Sequence, residues 1–253
     1  RYNGLEPTGA CVTERTHHPS GPLAVAVALA ASAGFVDAHI YVNVTPVFVA
    51  NMSGNLIHLG ILVGDGAWQP AVASFVALAA FTTGVVLATV HHDREVARSR
   101  SVRPTFVLGV EAVLLLGLTA WMAGTSIAYT DRPGPSASLV LLVAGVAMGL
   151  QATALRRVGE IAVATTYGTG AIVRIGEKLV LAARRADRRT EHRRRVAIGV
   201  LTVVLVSYVA GAAVATLAGS GALVLAIPAV VVGACAFART RQDRWRIAQA
   251  LPA

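Results

Sequence analysis

Charge is scarce in this chain: only 14% of its 253 residues are Asp, Glu, Lys or Arg, where a soluble domain carries about a quarter. The few charges gather in short runs, so that segments 22–34, 67–90, 112–130, 133–155 and 196–238 contain none. This excludes an ordinary water-soluble domain. Cysteine is nearly absent as well. Cys11 lies in a polar N-terminal stretch and Cys235 in the last apolar segment, which leaves neither a disulfide framework nor a cysteine metal cluster. Catalytic signatures are missing too: there is no HExxH, no phosphate loop, no CxxC and no Ser-His-Asp order. The expectation is a protein that is not an enzyme and uses no cofactor and no metal. An intramembrane enzyme built on Asp37 with His39 or His58 is the weaker alternative.

What the chain does contain is length in its apolar stretches. About 20 apolar residues cross a bilayer as a helix, and segments 22–44, 69–91, 104–124, 136–156, 195–218 and 221–239 reach that length. An all-α, polytopic transmembrane helix bundle follows. The net charge of +9 comes from arginine runs at 94–103, 184–195 and 239–246. Each run abuts an apolar span, which is the signature of cytoplasmic loops, so the partner is the lipid bilayer and no nucleic acid is expected. Links 64–67, 125–135 and 219–221 then face the other side.

Two weaker segments, 46–63 and 158–182, repeat one motif. Gly34-Phe35-Val36-Asp37 leads to Asn51-Met52-Ser53-Gly54-Asn55 and Gly60; Gly149-Leu150-Gln151 leads to Thr165-Thr166-Tyr167-Gly168-Thr169-Gly170 and Gly176. Gly34 and Gly54 are 20 residues apart and Gly149 and Gly170 are 21, while both second intervals are six. With the arginine runs inside, segment 158–182 must enter and leave from the cytoplasmic face, and by the repeat 46–63 does so from the outer face. The domain organisation is then a polar tail at 1–20, a first membrane repeat at 21–130, a second, inverted repeat at 136–240 and a basic cytoplasmic tail at 241–253. Each repeat has three spans and one broken or re-entrant segment. Eight full spans are the rival topology.

Interrupted apolar segments at corresponding places in two halves point to a transporter's solute site. The residues assigned to such a pathway are Asp37, Asn51, Ser53, Gly54, Asn55, Gln151, Thr165, Thr166, Thr169 and Gly170. Asp37, in an otherwise apolar span, must face the bundle interior; it is either a pathway carboxylate, the strongest candidate for proton coupling, or a structural acceptor. Gln151 stands near the place of Asp37 in the second copy. His39 reads as interfacial, His58 as a packing residue or a ligand, and Glu111 as buried with a partner or snorkelling inward. If the halves are inverted, Gly54 and Gly170 should lie on the order of 10 Å apart.

The run from Gly34-Phe35-x-Asp37-Ala38 through Asn51–Asn55 to Gln151 and Thr165-Thr166-Tyr167-x-Thr169-Gly170 resembles the YoaK-like family of bacterial inner-membrane proteins. The resemblance covers approximately residues 22–240. It implies a domain of unknown function with about six spans of bilayer-crossing length, and it supplies no substrate. Ser53-Gly54-Asn55 stands where that family commonly has Thr-Gly-Asn, which keeps the hydroxyl. The expected function is a channel or secondary transporter for a small polar solute or ion in the bacterial inner membrane, with both termini cytoplasmic and room for a homo-oligomer. A non-transporting scaffold or assembly protein is the alternative.

Overall fold

A computed structural model describes residues 20–98, 104–125, 127–154, 157–158, 161–162, 168–183 and 188–250. The described helices are α1 (Ser20–Asn43), α2 (Met52–Gly64), α3 (Trp68–Ala97), α4 (Pro104–Gly124), α5 (Pro135–Ala154), α6 (Gly168–Ala183), α7 (Arg188–Ala218) and α8 (Ala226–Ala250). Between α5 and α6, β1 (Arg157–Val158) pairs antiparallel with β2 (Ile161–Ala162), two residues on two, where helix alone had been expected. Six helices are long and apolar enough to cross a membrane: α1, α3, α4, α5, α7 and α8. Proline supplies the first residue of both α4 and α5, a position where its missing N–H costs nothing. Gly66 and Gly219, both at positive φ, close the turns after α2 and α7.

Two apolar clusters give the spans their directions. The C-terminal half of α1 (Val36, Ile40) packs with the end of α4 (Leu118, Met122) and with the beginnings of α3 (Ala73), α5 (Val140) and α8 (Ala229). The N-terminal half of α1 (Ala26, Leu29) packs with the start of α4 (Leu108), the first half of α7 (Val200) and residues farther along α8 (Val232, Cys235). The spans therefore alternate in direction. All three arginine runs adjoin span ends on the face where α1 begins, and Asp65 and Asp131 follow spans or precede them at the other.

α2 has 13 residues, about 20 Å of helix against a hydrocarbon core of about 30 Å. It cannot cross. Since α1 ends and α3 begins at the same face, residues 44–64 enter from that face and return to it. α5 ends and α7 begins at the opposite face.

The packing has a regularity. α1 lies on α7 and α3 on α5; α4 lies on α5 and α1 on α8; α2 lies on α3 and α6 on α7; α4 lies on α8. Advancing each helix by four places along the chain exchanges the members of the first three couples and returns α4–α8 to itself.

The equivalence reaches single residues. A Cβ on Gly34 would sit 2.0 Å from the Tyr208 carbonyl oxygen, and one on Gly211 1.9 Å from that of Ala31. A Cβ on Gly149 would sit 2.1 Å from the Phe81 carbonyl oxygen, and one on Gly84 2.2 Å from that of Val146. Ala31-x-x-Gly34 against Tyr208-x-x-Gly211 thus matches Val146-x-x-Gly149 against Phe81-x-x-Gly84. Both pairs of helices cross backbone to backbone, as small residues at a membrane interface permit.

Candidate functional site: a re-entrant segment held by Asp37

Beyond Asn43 the chain doubles back along α1. Val44, Val47, Val49 and Ala50 are buried as it descends, and it reaches the level of Asp37, six residues or roughly 9 Å from the helix end. Backbone N–H groups here have left helical pairing and need acceptors. Asp37 provides them. Its Oδ1 accepts from Val49 N–H at 2.6 Å and from Ala50 N–H at 2.7 Å, and its Oδ2 accepts from the Tyr208 hydroxyl of α7. The carboxyl group is only 2% exposed.

The rest of the first motif closes the same knot. Asn51 caps α2: its Oδ1 accepts from Gly54 N–H at 3.4 Å and from the Ser53 hydroxyl at 2.9 Å, a standard use of asparagine at a helix start. Asn55 is fully buried and answers both backbone groups of Phe48, accepting from its N–H at 3.0 Å and donating Nδ2–H to its carbonyl at 2.5 Å. A Cβ on Gly54, in the first turn of α2, would come 3.0 Å from the Phe48 ring, so a side chain there would have to push that ring aside. The Phe48 ring in turn stacks on Tyr41, centroids 4.6 Å apart. His58 ties α2 to α3 through Ser74, Nδ1 to Oγ 3.3 Å, which makes it a packing residue.

Four expectations change. His39 is buried, not interfacial: its Nδ1 meets Asn43 Nδ2 at 3.3 Å and its ring stacks with Phe35, both on α1 itself. Glu111 is fully buried, and among the described residues neither carboxyl oxygen has a hydrogen-bond partner. Gln151 is not the counterpart of Asp37. The crossing register places Ala152 three residues after Gly149, as Asp37 is three after Gly34, so Gln151 matches Val36. Finally, direct packing of the two motif helices does not build a common site among the described residues. α2 has α3 as its main neighbour and α6 has α7, because each short helix folds onto the span that follows it.

Asp37, Asn51, Ser53, Gly54 and Asn55 thus come together, joined by Tyr208, which sequence reasoning did not assign. Gln151 lies elsewhere: it is fully buried in α5, with Nε2 donating to Leu29 O at 2.8 Å and Oε1 without a partner. Thr165 and Thr166 fall outside the described residues. Thr169 and Gly170 belong to the first turn of α6, and the Thr169 side chain is likewise outside the description. Much of α6 is exposed, including Ile172, Val173, Leu179 and Val180. A groove of about 240 Å³ between α1, α7 and α8 has Ser32 as its one polar lining side chain, among apolar neighbours such as Phe35, Val214 and Val231. Among the described residues no three His, Cys, Asp or Glu side chains gather as metal ligands would.

The family model described as protein of unknown function (DUF1275) matches residues 25–238. The chain belongs to this family. It is also similar to the UPF0700 transmembrane protein YoaK of Bacillus subtilis (strain 168), with 28% identity over 151 residues, 60% of this chain and 64% of the relative. The match thus spans a little under two thirds of that relative's length. No solved structure matches. A multi-pass membrane protein is what the family, the transmembrane relative and the six apolar helices establish together.

Across the two crossings Asp37 and Tyr208 correspond to Ala152 and Phe81, so carboxyl and hydroxyl are both present at one crossing and both replaced at the other.

Proposed function

We propose that the protein is a secondary transporter or channel for a small polar solute or ion, built from two halves of opposite orientation in the bacterial inner membrane. The observation that carries this reading is the match between the two glycine crossings. Three spans run α1, α3, α4 in one half and α5, α7, α8 in the other with opposite directions, and each half contributes one helix to each crossing. Such inverted halves, each with an interrupted segment, are an architecture of transporters, where one repeat moves against the other. The arginine runs at one face support cytoplasmic termini.

In this reading Asp37 positions the outer re-entrant segment and is not itself the coupling group. The segment's tip, with Asn51 and Ser53 at the start of α2, is its polar surface toward a solute. Helix starts carry partial positive charge and expose N–H groups, which favours anionic or carbonyl-bearing solutes at that end. No reaction is assigned to the chain.

A second reading has a specific observation behind it. Every polar atom of Asp37 and Asn55 is engaged within the protein, and the groove beside α1 is apolar, as a scaffold would have it. Proteoliposomes decide between the two. A panel of radiolabelled amino acids, sugars, organic acids and inorganic ions should include one that enters faster than into empty vesicles, with Gly84→Leu abolishing the excess. If nothing enters faster, the scaffold is the better account.

A further inference from the structure

Glu111 is the most unusual polar group of the interior. It lies seven residues into α4, roughly 10 Å along the helix from its start at the arginine-rich face. It is completely buried, and among the described residues neither Oε1 nor Oε2 has a hydrogen-bond partner. An ionised carboxylate cannot be left so in a membrane interior without a cation or donors, so charged side chains there are paired or functional. Asp37 is the contrast: two N–H groups and a hydroxyl point at it. The two acids of the bundle therefore have opposite surroundings, which is how acid roles are separated in one protein.

The elements packed on α4 bring a short list of titratable groups. α3 brings His91, whose ring lies 4.7 Å from Phe106 in the first turn of α4. α1 and α7 reach the start of α4 through Leu29 and Val200, with Asp37, His39 and Tyr208 farther along them and the run Glu191 to Arg195 before Val200. α5 has no Asp, Glu, Lys, Arg, His, Cys or Tyr between Pro135 and Ala154, and the 3-10 turn Ala222–Leu225 has none. α8 brings Cys235, buried in the cluster that includes Leu108 and Ala112 of α4, and Arg239 one turn on. Small residues keep this interface close, for a Cβ on Gly233 would lie 3.8 Å from the Cβ of Ala112.

We propose that Glu111 is a reversible proton-binding site, a neutral carboxylic acid in this conformation that exchanges its proton with the arginine-rich face. Its use for driving a solute rests on the transporter reading above. The exchange itself is simple in balance: the O–H proton leaves to water and returns from water, and no other bond changes.

Infrared spectroscopy of the full-length protein in lipid tests this without any solute. At pH 7 the wild type should show a protonated-carboxyl C=O band that moves to lower frequency in D2O. Glu111→Gln should lack the band and Asp37→Asn should keep it. A wild type without the band, a band that ignores D2O, or a band lost in Asp37→Asn and retained in Glu111→Gln would each overturn the proposal. Folding is controlled by Glu111→Leu. With no hydrogen bond to lose, that variant should match wild-type thermal stability in detergent; a marked loss would mean that the acid is structural. Failure of transport shows up separately, as absent flux in the wild type. Where flux is found, Glu111→Gln should still equilibrate the solute but lose at least tenfold of its pH-driven accumulation, and unchanged accumulation would overturn the assignment.

Discussion

Gly211→Ala should separate α1 from α7 and sharply lower the stability of the folded monomer. The added Cβ would lie 1.9 Å from the Ala31 carbonyl oxygen, and the obstacle is backbone, so no side chain can turn aside. Overpacking costs about 1–3 kcal/mol and occasionally more, and a rigid backbone obstacle places this variant at the upper end or beyond. Gly84→Ala and Gly149→Ala should behave alike at the second crossing, where the distances are 2.2 and 2.1 Å. Gly117 and Gly199 lie in α4 and α7 with nothing within 4 Å of a new Cβ. Alanine there should be neutral or gain up to about 1 kcal/mol, since glycine is the poorer helix former. Thermal unfolding in detergent followed by size exclusion separates the two groups. If the crossing variants melt with the controls, the helices are not held backbone to backbone.

Asp37→Ala should cost at least about 3 kcal/mol, since each buried donor left unsatisfied costs about 1–3 kcal/mol. Two backbone N–H groups and the Tyr208 hydroxyl would be stranded in the membrane interior. Tyr208→Phe removes one of the three donors and should cost about 1–2 kcal/mol. The loss should be local. Ala50 is 2% exposed, so a cysteine there should be silent to a small maleimide in the parent protein and react once Asp37→Ala frees the segment. A cysteine at Ala50 that stays unreactive in the Asp37→Ala variant would show that other contacts hold the re-entrant chain.

The spans were legible because charge-free length is a direct physical requirement of the bilayer. Their ends were less so. α7 begins at Arg188 and α3 runs on to Ala97, since a hydropathy reading stops at arginine and histidine while the helical backbone continues through them. In the first motif, polar residues inside an apolar run announced that something special happens at Asn51–Asn55. Asp37 reads from the sequence as either pathway carboxylate or structural acceptor, and its oxygens do accept from Val49, Ala50 and Tyr208. Tyr208 could not be tied to it by inspection, being 171 residues away, although it is the one Tyr, Phe or Trp of α7. Gly84 and Gly211 were equally hidden: in sequence they look like Gly117 and Gly199, and only a neighbouring carbonyl distinguishes them. Gln151 was placed one residue out of register because glycine spacing counts along the chain, whereas the crossing fixes register across it.

The inverted arrangement of the halves is the claim on which the functional reading turns, and side-specific cysteine labelling tests it most directly. In a variant with Cys11 and Cys235 replaced by serine, single cysteines at Gly66, between α2 and α3, and at Ala186, in the link before α7, would be exposed to a membrane-impermeant maleimide in intact cells and in inside-out vesicles. The account predicts that Gly66→Cys reacts only in intact cells and Ala186→Cys only in inside-out vesicles. Reaction of both from the same side would contradict it.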